Sequence, residues 1–193
     1  MNLQRIAVFI DNSNVFKNIQ RIKKIDNKWI SFYNPLKLAQ KLSGNRKLVS
    51  VKFYCVHPPV YLLEEDEKHK EKYNITNKYY STIEKLPLVE VKYGDLKGIK
   101  GALREKNVDT QIVTNMVTEA ALNKYDTAIL VSNDGDFISA IESIKMFNKK
   151  IETVFFRGSI SENLKKLSDI TRRARRSYFQ PLDLLKIDLR ENE

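Results

Sequence analysis

The 193-residue sequence contains few residues that form disulfides or bind soft metal ions. It has one cysteine, Cys55, and two histidines, His57 and His69, so neither a disulfide framework nor a thiolate metal cage can form within one chain. A single thiol indicates a reducing compartment, and the sequence shows neither a signal peptide nor an apolar run of about 20 residues. We therefore expect a cytoplasmic protein without a membrane partner.

Acidic residues are outnumbered by basic ones. The sequence holds 34 Lys and Arg against 24 Asp and Glu, which gives a formal net charge of +10. Such a charge raises the local concentration of a polyanion and makes nucleic acid the first candidate partner. A basic surface that serves only solubility explains the charge equally well. The charge therefore supports a nucleic-acid site without defining one.

Short apolar runs alternate with helical patterns along the chain. Four of the runs are typical of strands buried on both faces, and a fifth alternates more, as at a sheet edge. The runs occupy residues 5–11, 48–56, 127–132 and 151–156, and then 88–93. Helical patterns occupy residues 35–44, 62–86, 108–122, 137–147 and 161–167. This alternation predicts a three-layer α/β/α sandwich around a mostly parallel sheet with right-handed crossovers.

A basic extension follows the alternating part of the chain. Residues 1–170 form the predicted domain, and residues 171–193 begin with four arginines between positions 172 and 176 before an apolar pattern resumes. The arginines suit either a helix end, where their charges complement the dipole, or contacts with phosphates. We expect the extension to pack on the domain, on a second copy of the chain in a homodimer, or on another protein.

Aspartates follow two of the predicted buried strands. Asp11 closes the first strand, and Asp134 and Asp136 follow the strand at 127–132. Ligands of open α/β sheets bind at the carboxyl ends of strands, so the three carboxylates converge if these strands are neighbours. Each aspartate alone is also a good helix cap. Together, carboxylates about 4 Å apart repel by about 4 kcal/mol at an effective dielectric of 20, which a cation must offset.

The available donors favour a hard cation. Without a cysteine cluster the donors are oxygens, which select Mg²⁺ or Mn²⁺ over zinc. Asp109 adds a further acid at the first turn of the 108–122 helix, beside Arg104 and Lys106. An aspartate is favourable at a helix N-terminus in any case, so Asp109 alone does not decide the matter.

Three blocks of the sequence, taken in order, resemble the NYN domain family, specifically its LabA-like branch within the PIN-like nuclease superfamily. The blocks are Ile10-Asp11-Asn12-Ser13-Asn14, Lys106-Asn107-Val108-Asp109 and Leu130-Val131-Ser132-Asn133-Asp134-Gly135-Asp136-Phe137. A weaker fourth block at 161–169 resembles the family's last helix, so the likeness spans nearly the whole chain. It implies a sheet in which the first and fourth of the predicted strands adjoin.

The resemblance also implies a metal-dependent ribonuclease that cuts RNA, which we expect to be single-stranded. The resemblance implies that one or two Mg²⁺ (or Mn²⁺) ions are bound by the catalytic residues. These catalytic and metal-binding residues are Asp11, Asp109, Asp134 and Asp136. The resemblance implies that Asn14 helps to hold the metal shell or the scissile phosphate. It also implies that Asn12 and Ser132 support the carboxylates without contacting the metal ion themselves. The sequence departs from the family at Asn115, where a further aspartate is frequent.

Basic residues near the strand ends are candidates for holding the RNA backbone. In the mechanism we expect, the metal ion activates water for in-line attack and neutralises the phosphate. The cations that would contact phosphates are Arg104, Lys106, Lys97, Lys100 and Arg157. For any single lysine among them, plain surface charge is the simpler interpretation.

Two alternatives remain open at the level of sequence. A catalytically weak or inactive RNA-binding or regulatory protein would retain the acidic pocket, and Asn115 favours that interpretation. Another class of metal-dependent phosphotransferase also carries Asp-x-Asp after a strand. Phosphatases of that kind need the pair after the first strand, where this chain has Asp11 and Ser13.

Overall fold

A seven-stranded sheet forms the centre of the computed structural model, which describes residues 3–100, 102–156 and 162–184. The strands are β1 (Arg5–Asp11), β2 (Lys47–Val56), β3 (Val89–Lys97), β4 (Arg104–Lys106), β5 (Thr127–Val131), β6 (Lys150–Phe155) and β7 (Ile170–Arg173). Their spatial order is β4-β3-β2-β1-β5-β6-β7. All neighbours pair in parallel except β3 and β4, which form an antiparallel hairpin.

Helices cover both faces of the sheet. They are α1 (Asn12–Lys23), α2 (Pro35–Ser43), α3 (Glu67–Glu84), α4 (Val108–Ala121), α5 (Ile138–Met146) and α6 (Glu162–Leu167). Alternate residues of β1 enter different cores, because Val8 packs with the side chains of α1 to α3 and Phe9 with those of α4 to α6. The predicted three-layer α/β/α sandwich is therefore confirmed. None of the helices in the described ranges has the length and apolar character needed to cross a bilayer.

The five predicted strands are all present, and the predicted neighbours are correct. β1 pairs in parallel with β5, from Ile6 opposite Thr127 to Ile10 opposite Val131. The alternating run at 88–93 lies at an edge of the sheet, since it pairs with β2 on one side and β4 covers β3 only from Asp95 to Lys97. The sequence did not predict the short strands β4 and β7.

The β3–β4 hairpin lies close to the start of α4. A Cβ atom at Gly94 would lie 2.5 Å from Cγ2 of Val108 and 2.8 Å from the carbonyl oxygen of Lys106, so only glycine permits this approach. The side chain of Gln111 donates to the carbonyl of Tyr93 at 3.0 Å. The hairpin is therefore held in a fixed position beside the carboxyl ends of the central strands.

The described part of the basic extension continues the domain. Within β7, Arg172 forms an ion pair of 2.8 Å with Glu152, which is 2 % exposed and is also paired with Arg46. Arg172 further donates to the carbonyl of Leu42 at the end of α2, where a cation complements the helix dipole. Beyond β7, three apolar side chains are buried in the core that covers α1 to α3, namely Ala174, Phe179 and Leu182.

Candidate functional site

The site begins at the carboxyl end of β1. Asp11 is the last residue of that strand and is 3 % exposed. Its Oδ1 accepts a hydrogen bond of 3.0 Å from the backbone N–H of Asn14 and so caps α1. Its Oδ2 accepts a hydrogen bond of 2.9 Å from the hydroxyl of Ser132, which follows β5. Both oxygens of the carboxylate are therefore oriented by neighbouring elements.

The loop after β5 brings a second acid to the same place. The backbone N–H of Asp134 donates to the hydroxyl of Ser132 at 3.2 Å, so Ser132 links Asp134 to Asp11. Oδ1 of Asp134 accepts from the N–H of Asp136 at 3.1 Å and caps the short 3₁₀ turn at Gly135–Phe137. Asp134 is half-buried, whereas Asp136 is exposed.

Two asparagines fix this loop against α1 and β6. Oδ1 of Asn14 accepts from the backbone N–H of Asn133 at 3.1 Å. Oδ1 of Asn133 in turn accepts from the N–H of Phe156 at 2.7 Å. The sequence marked Asn14 as a site residue but gave no role to Asn133. The loop that carries Asp134 is thus held by the residue that follows β6 and by the first turn of α1.

A cavity of about 600 Å³ opens above these strand ends, and we call it the acidic cleft. Its floor and far wall hold four acids, and three basic side chains lie among them. The acids are Asp11, Glu105, Asp109 and Asp134, and the bases are Lys17, Arg104 and Lys106. Asp109 comes from the first turn of α4, and Glu105 comes from β4. The fold therefore brings distant segments of the chain to one open cavity.

The acids of the cleft raise one another's proton affinity. The pKa of Asp11 is raised to about 6, mainly by burial; the hydrogen bonds from Asn14 and Ser132 oppose this rise, and the charges of Asp109 and Glu105 add to it. The pKa of Asp109 is also raised, first by loss of hydration and then by the charges of Asp134 and Asp136. Such crowding is relieved either by a proton or by a bound cation.

The donor set of the cleft fits a hydrated hard cation. Within the described ranges, no three Asp, Glu, His or Cys side chains are placed to hold one ion directly. Mg²⁺ keeps several of its waters and takes one or two protein carboxylates, so it does not need such a group. The oriented oxygens of Asp11 and Asp134 meet that requirement, and the cleft offers no sulfur or imidazole ligand among its lining residues.

Residues 5–172 match the family model of the NYN domain. The chain belongs to the NYN domain family. All four predicted aspartates lie in the matched range, and membership supports a PIN-like, nuclease-type function. The crystal structure of a protein of unknown function from Vibrio parahaemolyticus is similar in fold, with 20% sequence identity and a TM-score of 0.63 over 92% of this chain and 96% of that chain. A search of curated proteins found no match.

The predicted substrate residues of this NYN domain fall in different places. Arg104 and Lys106 line the acidic cleft, as Asn14 does. Asn12 faces away from it, because its Oδ1 accepts from the hydroxyl of Tyr33 at 3.2 Å. Lys100 is paired with Glu65 at 2.8 Å. Arg157 lies outside the described residues. Two residues of the cleft that the sequence did not suggest are Lys17 and Glu105.

The departure from the NYN pattern at Asn115 lies away from the cleft. Six residues separate Asn115 from Asp109 along α4, which turns the side chain by about 240° around the helix axis. Nδ2 of Asn115 donates to the hydroxyl of Tyr54 at 2.9 Å. An acid at this position would not face Asp109, so the asparagine removes no side chain from the acidic cleft.

Proposed function

We propose that this NYN domain is a metal-dependent ribonuclease that hydrolyses phosphodiester bonds of single-stranded RNA in the acidic cleft. The observation that supports it most is the meeting of Asp11, Asp109 and Asp134 in one cavity at the carboxyl ends of the central strands. An open cavity of about 600 Å³ is large enough for a backbone phosphate with its sugars. A net charge of +10 favours a polyanionic substrate.

The acids hold the ion and the bases hold the substrate in this proposal. Asp11 and Asp134 bind one Mg²⁺ or Mn²⁺ directly or through its waters, and Asp109 and Asp136 complete the acidic surroundings. The ion supplies an activated water and neutralises charge that develops on the phosphate. Ser132 keeps Asp11 in position. The phosphates on either side are contacted by Arg104 and Lys106, with Lys17 added from α1.

The proposal also includes the branch of the NYN family and the cellular compartment. The sequence blocks around Asp11, Asp109 and Asp134 favour the LabA-like branch of the NYN family. A reducing, cytoplasmic setting agrees with the single buried thiol of Cys55.

One observation favours a second candidate function, an RNA-binding or regulatory protein that cuts poorly. Within the described residues the acids are not gathered into a group of three that could hold an ion directly. A domain with this arrangement binds a divalent ion weakly unless a substrate phosphate completes its shell. RNA binding without turnover would then be the main activity.

A cleavage assay tests the proposal. Purified protein is incubated with an end-labelled single-stranded RNA in Mg²⁺, Mn²⁺ or EDTA, and the products are separated on a gel. We expect cleavage with either metal and none in EDTA. Asp134→Asn should lower the rate at least about 100-fold, because it removes a charge that holds the ion. Glu142→Gln, which changes an exposed acid on α5, should cut like wild type.

Each of the other results of the cleavage assay would support a different conclusion. RNA that is bound but left intact with both metals would support the binding protein. Cleavage by Asp134→Asn at the wild-type rate would refute the assigned site. Hydrolysis of small phosphate esters with RNA untouched would indicate a different phosphotransferase.

A further inference from the structure

A second hollow shares a wall with the acidic cleft. This apolar pocket has a volume of about 370 Å³, which is within the range of pockets that hold small ligands. The side chains that line both hollows are Ser13, Lys17, Leu96, Leu103 and Glu105. Because the two hollows are contiguous, one extended molecule can occupy both at once.

The first turns of α1 form the shared wall. Each residue of a helix is turned by about 100° from the one before it. Ser13 and Lys17 therefore lie on one line of the helix, with Asn14 on one side of it and Asn12 and Phe16 on the other. The lining agrees, since Asn14 faces the acidic cleft while Asn12 and Phe16 face the apolar pocket.

Six aromatic rings contribute to the lining of the apolar pocket. The rings that line it are those of Phe16, Phe32, His57, Tyr61, Tyr79 and Tyr80. Tyr79 and Tyr80 are committed to the core, where both contact the ring of Phe53. Phe16 is 38 % exposed and contacts no other ring in the part of the chain that the structure describes. Its face is therefore available for stacking against a planar group.

Two cations flank the apolar pocket. Lys17 lies between the pocket and the acidic cleft, and Lys72 lines the pocket from α3. Neither lysine forms a salt bridge with a described residue. By contrast, Lys70, which lies on α3 as Lys72 does, is paired with Glu67 at 2.7 Å. Unpaired ammonium groups beside an aromatic pocket complement a ligand that joins a flat ring system to phosphates.

We propose that the apolar pocket receives one unpaired base of the RNA strand whose phosphate lies in the acidic cleft, and that Phe16 stacks on this base. The inference rests on the proposed function, since it names how the same substrate is bound. A base inside a duplex is already stacked and paired, so only a single strand or a loop can place one there. The pocket thereby selects unpaired RNA and fixes which phosphate enters the cleft.

A binding experiment with abasic RNA tests the inference. The affinity of the full chain for a fluorescent single-stranded RNA is measured by anisotropy in EDTA, where no cleavage occurs. The measurement is repeated with RNAs that carry one abasic residue at each position in turn. For wild type, we expect abasic substitution at one position to weaken binding roughly tenfold, as expected for the loss of one stacking contact.

Variants of Phe16 locate that contact. Phe16→Ala should weaken binding of the intact RNA by a similar factor and should no longer respond to the abasic position. Phe16→Leu keeps an apolar side chain without a ring and should behave like Phe16→Ala, whereas Phe16→Trp should keep the discrimination. Phe147→Ala is the matched control, because Phe147 is 42 % exposed and follows α5 instead. It should bind all of the RNAs as wild type does.

The outcomes separate the base pocket from the proposed function. If wild type binds no RNA in EDTA and neither binds nor cuts it with Mg²⁺, both ideas are overturned; if it binds only with Mg²⁺, the abasic RNAs are compared in Mg²⁺. If it binds RNA but every abasic RNA binds equally well, the base pocket alone is overturned and the apolar pocket has another occupant, such as a protein segment. If the abasic effect persists in Phe16→Ala, the base is bound elsewhere and the assignment to this pocket is wrong.

Discussion

The hydroxyl of Ser132 donates a hydrogen bond of 2.9 Å to Oδ2 of Asp11, although the two residues lie 121 positions apart in the chain. The contact exists because β1 and β5 pair in parallel and end at the same edge of the sheet. The same hydroxyl accepts from the N–H of Asp134 at 3.2 Å. Ser132 is therefore a positioning residue that couples two acids of the cleft.

Replacing Ser132 with alanine should lower metal-dependent cleavage roughly 10- to 100-fold, the usual effect of removing a group that orients a metal ligand. The hydrogen bond from Ser132 lowers the pKa of Asp11, so its loss should also move the acidic limb of the pH–rate profile to higher pH. Both are measured by initial cleavage rates across pH. Ser143→Ala is the control, because that hydroxyl donates only within α5, to the carbonyl of Ser139. A reduced rate with an unchanged pH profile would contradict the positioning role.

The contribution of the buried Asp11 carboxyl to the stability of the metal-free protein should become more favourable at lower pH. Its pKa is raised from 3.8 to about 6, so between these values the folded state binds more protons than the unfolded state. Stability from this group is therefore gained as pH falls through the window. Asp11→Asn should stabilise the protein by up to about 3 kcal/mol at pH 7 to 8, and by little near pH 4.

Urea unfolding of both proteins in EDTA across that pH range measures the difference. Because the asparagine keeps an acceptor for the N–H of Asn14, the cap of α1 is preserved. A gain in stability that is the same at pH 4 and pH 8 would show that the charge of Asp11 is not its cause.

Restoring the frequent family aspartate should add nothing to the cleft. Position 115 faces the hydroxyl of Tyr54, so Asn115→Asp should leave the cleavage rate and the Mn²⁺ affinity unchanged within about twofold. The new charge lies four residues from Glu119 and should cost about 0.5 kcal/mol of stability. Titration calorimetry with Mn²⁺ and a thermal melt measure both effects. A large increase in metal affinity would mean that the acidic set extends to this face of α4.

Arg172 should matter for stability and not for RNA binding. Its removal leaves the buried Glu152 with Arg46 as its remaining cation, so Arg172→Ala should cost about 1–3 kcal/mol. Arg173→Ala changes an exposed neighbour on β7 and should cost much less. RNA affinity, measured by anisotropy at a temperature where both variants are folded, should equal that of wild type. Selective loss of affinity in Arg172→Ala would support the phosphate-binding interpretation of the basic extension.

The central strands were predictable from their local pattern, whereas of their order only the adjacency of β1 and β5 was predicted. The continuous apolar runs of β1 and β5 indicate burial on both faces, and the family resemblance implies that they adjoin. β4 and β7 escaped prediction because they are three and four residues long and largely polar. Each is a strand only through its pairing with a longer neighbour.

Part of the candidate site was also predictable. The positions of Asp11 and Asp134 follow from the rule that ligands bind at strand ends, and Asp109 follows from the resemblance. Glu105 and Lys17 were not predicted, since their presence in the cleft depends on how the β3–β4 hairpin and α1 face each other. The apolar pocket likewise arises from side chains that are far apart in the chain, so no local pattern indicates it.

The antiparallel end of the β3–β4 hairpin borders both hollows and lies beyond the stretch in which β3 pairs in parallel with β2. The hydrogen bonds described for Asp11 and Asp134 come from Asn14, Ser132 and Asp136 and not from the hairpin, so we expect a changed turn to leave them intact. An exchanged turn should therefore alter the shape of both hollows while Asp11 and Asp134 keep their places.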